Sequence, residues 1–272
     1  MIKYAFLSVV GIANIVPKEP FIGSMIRGCL GYALRKTVCI FPNLECKKCA
    51  KTHKCAYYKF YENENELSNF RIDVSLYQKT YDFKIWLFED GVCFIPYLIV
   101  AFEYMQEIGL GHDRRKFTFD KILLNSKVIY ENMVLLSKDF SSLTFKPKFQ
   151  ADNVKVILKT PLRIKQDGHI AQSLDLTSFL RSLVRRVYLL KGINKKVDFT
   201  PKFSDFKPNL EFYNLQRYSN RQKKKHEIAG LIGEFKIYDL DKTSVELLEL
   251  ASIIGAGKST ALGLGNIQID II

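Results

Sequence analysis

The sequence is short of four things that would each direct its interpretation. No apolar run approaches the length of a membrane span, and the apolar-rich Phe94 to Met105 reads as a core helix. No secretory leader is evident, because Met1 to Val10 alternates like a strand and carries Lys3 near its start. Acidic residues are few, 28 against 41 Lys plus Arg, for a formal charge of +13. Such a field attracts a polyanion, and nucleic acid is the first candidate. Histidines number only four, His53, His112, His169 and His226, so any imidazole chemistry has a short roster. A soluble, cytoplasmic protein without a membrane partner is expected.

What the chain does have is enough apolar residues, 47%, to bury a core over 272 residues. It also has six cysteines, four of them (Cys39, Cys46, Cys49 and Cys55) crowded around a C-x-x-C. In an intracellular chain such a cluster suits a metal, and a structural zinc is the expectation carried forward, with free thiols and disulfides as the alternatives.

Hydrophobic periodicity resolves the chain into two similar halves. In the first, a strand at 2–12 and a helix at 23–36 precede strands at 72–81 and 83–89, a helix at 96–109 and a strand from about residue 116. In the second, a strand at 153–165 and a helix at 175–191 precede strands at 211–217 and 228–238, a helix at 243–254 and a strand at 266–272. Strand, helix, strand, strand, helix, strand occurs twice, the order of the ferredoxin-like unit. The expected class is α+β, with two tandem ferredoxin-like domains. The first covers 1–145 with a cysteine-rich insertion, and the second covers 146–272 with a glycine-rich loop.

That loop reads GAGKSTALGLG over 255–265 and imitates the phosphate loop of an ATPase. The phosphate-loop pattern requires glycine where Ser252 stands, and a strand before the loop with a helix after it, whereas here the order is reversed. A different use of glycine is expected: Gly255, Gly257, Gly263 and Gly265 let a phosphate backbone approach N–H donors, with Lys258 and Ser259 adding polar contacts. The first half has Gly109 to Phe117 at the same topological place, with Arg114, Arg115 and Lys116 as candidate phosphate contacts. Further candidates are Arg181 and Arg185, one helical turn apart, and the basic run containing Arg221, Lys223, Lys224 and Lys225.

Four stretches together resemble a known family: 23–35 with the cysteines after it, 160–165 with Gly168, 217–222 running into 229–233, and 255–265. The family is the CRISPR-associated endoribonucleases that process precursor CRISPR RNA, within the RAMP superfamily. The resemblance implies cutting of CRISPR repeat RNA by its own 2'-hydroxyl, leaving 5'-hydroxyl and 2',3'-cyclic phosphate ends, with no cofactor for catalysis. It implies a catalytic histidine in or just after the first helix, where His53 is the nearest match, with Tyr32, Arg35 and Lys36 as alternates because some members use other side chains. A non-catalytic RNA-binding subunit of a CRISPR effector complex, in contact with other effector subunits, is the competing expectation.

Overall fold

The computed structural model describes residues 1–11, 16–63, 67–166, 168–219 and 224–272, the side chains of 216–226 excepted. The chain divides at Phe145 into two compact units, described in turn.

In the N-terminal unit, β1 (Lys3–Gly11), α1 (Gly23–Val38), β2 (Phe70–Asp73), β3 (Phe83–Phe88), α2 (Ile95–Ile108) and β4 (Phe119–Leu124) follow one another. The strands lie antiparallel in the order β2-β3-β1-β4, the ferredoxin-like arrangement. β1 explains how the sheet takes its core: Ala5, Leu7 and Val9 are buried while Tyr4, Phe6 and Ser8 between them are half-exposed. The buried stripes of α1 (Ile26, Leu30, Ala33, Leu34) and α2 (Leu98, Ala101, Phe102, Met105) complete that core. The stretch Glu89–Ile108 has the length and apolarity to cross a membrane. Its second part is α2, which spends those residues on the sheet. Beyond β4 the sheet continues through β5 (Lys127–Glu131) and β6 (Val134–Leu135), and β7 (Leu143–Thr144) pairs with the start of β1. Three single helical turns, Cys46–Lys48, Thr52–Lys54 and Tyr58–Glu62, fill the insertion between α1 and β2.

The C-terminal unit repeats the plan. β8 (Val154–Leu162) leads through a small hairpin, β9 (Lys165–Gln166) and β10 (His169–Ile170), to α3 (Leu176–Leu190) and β11 (Asp205–Tyr213). A second hairpin, β12 (Gln216–Ser219) and β13 (Lys224–Glu227), precedes β14 (Gly230–Tyr238), α4 (Lys242–Ile254) and β15 (Ile267–Ile271). The order β11-β14-β8-β15 is again second, third, first, fourth. Val156, Leu158, Phe179, Leu183, Phe235 and Leu248 form the centre of its core.

Two expected strands have different limits. The strand placed at 72–81 stops at Asp73, because Gln78 takes over the backbone. Its side chain accepts from the Ser75 N–H at 2.9 Å and donates to the carbonyls of Thr80 and Asp82 at 2.6 and 2.8 Å. The strand placed at 211–217 begins six residues earlier, at Asp205, and Gln216 opens a separate hairpin. β11 lies at the edge of its sheet, where Pro208 is tolerated.

Candidate nucleic-acid interface

The glycine-rich loop joins α4 to β15. Gly255 ends the helix at φ 76°, and Gly257, Gly263 and Gly265 have φ of 67°, 90° and 65°. Two of these positions allow no side chain. A Cβ at Gly265 would lie 1.8 Å from the Ala256 carbonyl oxygen, and one at Gly257 would lie 2.6 Å from that of Arg163. Much of the loop's hydrogen bonding is directed inward: Ala256 N–H to Gly265 O at 2.9 Å, Lys258 N–H to Arg163 O at 2.7 Å, and Gly265 N–H to Pro161 O at 3.0 Å. Gly255, Gly263 and Gly265 are buried, so their place is in the loop's own packing. Lys258 is exposed and Gly257 and Ser259 are half-exposed, and these three form the outward tip.

Two side chains hold the loop from beneath. Thr160, fully buried on β8, donates to the Gly263 carbonyl at 2.9 Å and accepts from the Asn266 N–H at 3.0 Å. Arg186 of α3, 8% exposed, donates to the Gly257 carbonyl and, at 3.2 Å, to the Thr260 hydroxyl. Sequence reasoning assigned no role to either. Arg186 had a signal: it falls on the apolar stripe of α3, three residues after Leu183 and four before Leu190, where a charge needs a specific partner.

The corresponding loop in the N-terminal unit follows α2 with matching backbone geometry, Gly109 at φ 78° and Gly111 at 76°. Leu110 and Arg115 exchange backbone hydrogen bonds of 2.7 and 2.9 Å across it. Arg115 is engaged internally, paired with Glu19 and hydrogen-bonded to the Tyr81 hydroxyl at 3.4 Å. Hydrogen bonding to Glu19 raises its pKa further and keeps it charged. Arg114 and Lys116 are exposed.

On α3, Asp175 caps the helix by accepting from the Ser178 N–H at 2.7 Å. Hydrogen bonds from Ser178 hold its carboxyl below the usual carboxylate range, and the nearby Arg181 charge adds to this. Arg181 donates to the Phe199 carbonyl at 2.8 Å, tying down the segment after the helix, while Arg185 is exposed. In the basic run, Arg221 and Lys223 lie outside the described residues. Lys224 and Lys225 are on β13, where only the backbone is described.

The candidate catalytic residues are on α1 and in the insertion. Tyr32 is 61% exposed on α1. Lys36, one turn further on, is 2.9 Å from Glu107 and 3.8 Å from the centre of the Tyr104 ring. His53 is exposed on the separate turn Thr52–Lys54. Arg35 is structural, donating to the Pro42 carbonyl at 3.0 Å and lying over the Tyr57 ring.

The cysteine cluster gives the expected zinc no geometric support among the described residues. All six cysteines are free thiols, and among the described residues no three His, Cys, Asp or Glu side chains are grouped to hold a metal. Cys39 ends α1, Cys46 and Cys49 bracket one helical turn and Cys55 ends the next. All four cysteines line a cavity of about 310 Å³, shared with Phe41 and Tyr97. Burial pushes the Cys46 thiol pKa up.

Comparison with known proteins adds two domain matches. Residues 10–139 match a family described as the AF_1859 N-terminal domain, and residues 156–267 match the CRISPR-associated endoribonuclease Cas6 family. A protein of Archaeoglobus fulgidus is 23% identical over 281 residues, with 92% of each chain covered. Among solved structures, a Cas6 product complex matches with TM-score 0.58 at 14% identity, covering 99% of both chains. Thermus thermophilus Cas6 matches with TM-score 0.57 at 14% identity, covering 99% of this chain and 98% of its own. The tandem ferredoxin-like fold is common to these structures.

Proposed function

We propose that the protein, whose residues 156–267 match the CRISPR-associated endoribonuclease Cas6 family, binds CRISPR repeat RNA in precursor transcripts and cleaves it without a metal. The domain match is the observation that carries this reading. The net charge of +13 and the loop tip at Lys258 and Ser259, anchored from beneath by Arg186, agree with it.

In this reaction the ribose 2'-hydroxyl attacks the adjacent phosphorus. A base takes the hydroxyl proton, positive or N–H groups hold the crowded phosphate, and an acid protonates the departing 5'-oxygen. The products are a 2',3'-cyclic phosphate and a 5'-hydroxyl. We assign the proton transfers to His53, the side-chain type best suited to passing a proton in both directions. Tyr32 is the alternate. Lys36, already paired with Glu107, is better suited to neutralising phosphate charge than to accepting a proton. The exposed Lys258, with Arg114, Lys116 and Arg185, supplies backbone contacts that hold any RNA sequence.

The test is cleavage of repeat RNA by His53→Ala alongside direct measurement of RNA affinity. A loss of about a hundredfold in rate with affinity retained is expected for removal of a general acid or base. Unchanged cutting would refute the His53 assignment and move it to Tyr32. A second reading, an RNA-binding subunit that does not cut, is favoured by one observation: His53 is on a turn separate from the helix that carries Tyr32 and Lys36. Binding of repeat RNA without cleavage by the parent protein would establish that reading.

A further inference from the structure

The face of the N-terminal sheet opposite the buried stripe of β1 carries an aromatic row to which the proposed chemistry assigns no part. In an antiparallel sheet alternate residues share a face. Ala5, Leu7, Ile85 and Leu87 are buried in the core, which turns Tyr4 and Phe6 of β1 and Trp86 of β3 to the other side. β1 and β3 are adjacent inner strands, and Phe6 and Trp86 are direct cross-strand partners. Their ring centres are 4.8 Å apart, with Tyr4 6.0 Å from Trp86 on the same face. All three rings are half-exposed.

The row is held in place. The Trp86 indole N–H donates to the Asp73 carboxylate at 3.2 Å. Arg71 of β2, opposite Trp86 in register and 1% exposed, places its guanidinium 5.1 Å from the indole centre. The exposed Lys84 is 6.0 Å from the Phe6 ring centre, at the margin of a cation–π contact. Fixed aromatic rings on inner strands of a ferredoxin-like sheet offer an unpaired base a rigid π-face, and the exposed Lys84 offers its phosphate a positive charge.

We propose that this face is a stacking platform for unpaired RNA bases, with Phe6 and Trp86 as the stacking rings and Lys84 as a phosphate contact. The proposal rests on the RNA-binding reading above and extends it to single-stranded segments of the substrate. The net charge of +13 selects a polyanion as occupant, and the half-exposed rings distinguish one with flat bases from one without.

Trp86 is the chain's single tryptophan, so its fluorescence reports on this face alone. The full chain is titrated with an unstructured oligoadenylate, with a blunt RNA hairpin lacking single-stranded ends, and with polyglutamate, while fluorescence anisotropy of labelled RNA reports total binding. Saturable quenching by oligoadenylate is expected, with the midpoint of the anisotropy curve and little quenching by the hairpin. Phe6→Leu, which keeps an apolar side chain but removes the ring, should weaken oligoadenylate binding by about tenfold or more. Circular dichroism of that variant confirms its fold, and Lys84→Ala should lower the salt dependence of binding independently. RNA binding by anisotropy with Trp86 emission and Phe6→Leu affinity unchanged overturns the platform alone. Equal quenching by polyglutamate overturns base stacking. Absence of any RNA binding overturns the platform together with the RNA reading of the protein.

Discussion

Replacing Arg186 with methionine tests how the glycine-rich loop is held. The guanidinium donates to the Gly257 carbonyl and to the Thr260 hydroxyl from a position 8% exposed. Hydrogen bonds from a charged donor are worth about 1.5–3 kcal/mol each, so the pair contributes on the order of 3–6 kcal/mol before opposing effects. Removing the charge returns part of its desolvation cost, and methionine refills most of the volume. The net loss should be about 2–3 kcal/mol, read as a lower urea midpoint with an unchanged slope. RNA affinity should fall as well, because the tip at Gly257 to Ser259 loses its support, even though Arg186 itself is nearly inaccessible. Arg186→Lys, which keeps the charge but not the two-pronged donor, should lie between parent and Met variant. A Met variant within about 0.5 kcal/mol of the parent and with the parent's RNA affinity would show that the loop does not depend on the Arg186 hydrogen bonds.

Two further outcomes follow from the C-terminal unit. Lys258→Ala, at an exposed tip position, should leave stability within about 0.5 kcal/mol of the parent while lowering RNA affinity and reducing the salt slope by about one. Asp175→Ala should cost about 1 kcal/mol near neutral pH through loss of the α3 cap. The Asp175 carboxyl pKa is lowered in the folded protein, so its contribution is present above the usual carboxylate range and fades as pH falls through the folded value. Parent and variant melting curves should therefore converge in acid, and a constant gap down to low pH would contradict the cap.

The repeated element order was legible because each core strand and helix carries its own periodicity, as the alternation in β1 and the stripe of α3 show. Legibility failed where a side chain replaces backbone pairing. The apolar-polar alternation of Ile72, Val74 and Leu76 runs on past Asp73, but Gln78 closes the chain into a turn, and no local pattern announces a glutamine that bonds three backbone groups. Pro208 concealed the start of β11 because its tolerance depends on an edge position that only the sheet order reveals. The extension through β5, β6 and β7 was missed as well, its last two strands being only two residues long.

At the candidate site, sequence identified the glycines by type but not by direction. Four glycines in eleven residues look like an open cradle, whereas three are buried and the exposed tip is Gly257 to Ser259. Spacing alone suggested a metal at the C-x-x-C, and no grouping of three His, Cys, Asp or Glu side chains among the described residues supports it. The aromatic row of Phe6 and Trp86 joins residues eighty positions apart and exists only through strand register.

Metal-free cleavage is tested by incubating the purified protein with repeat RNA in excess EDTA and identifying the ends of any fragments. A cut within each repeat is expected, with a 2',3'-cyclic phosphate on one fragment and a 5'-hydroxyl on the other. Cutting that stops when metal is removed, or RNA that is bound and left intact, would contradict it.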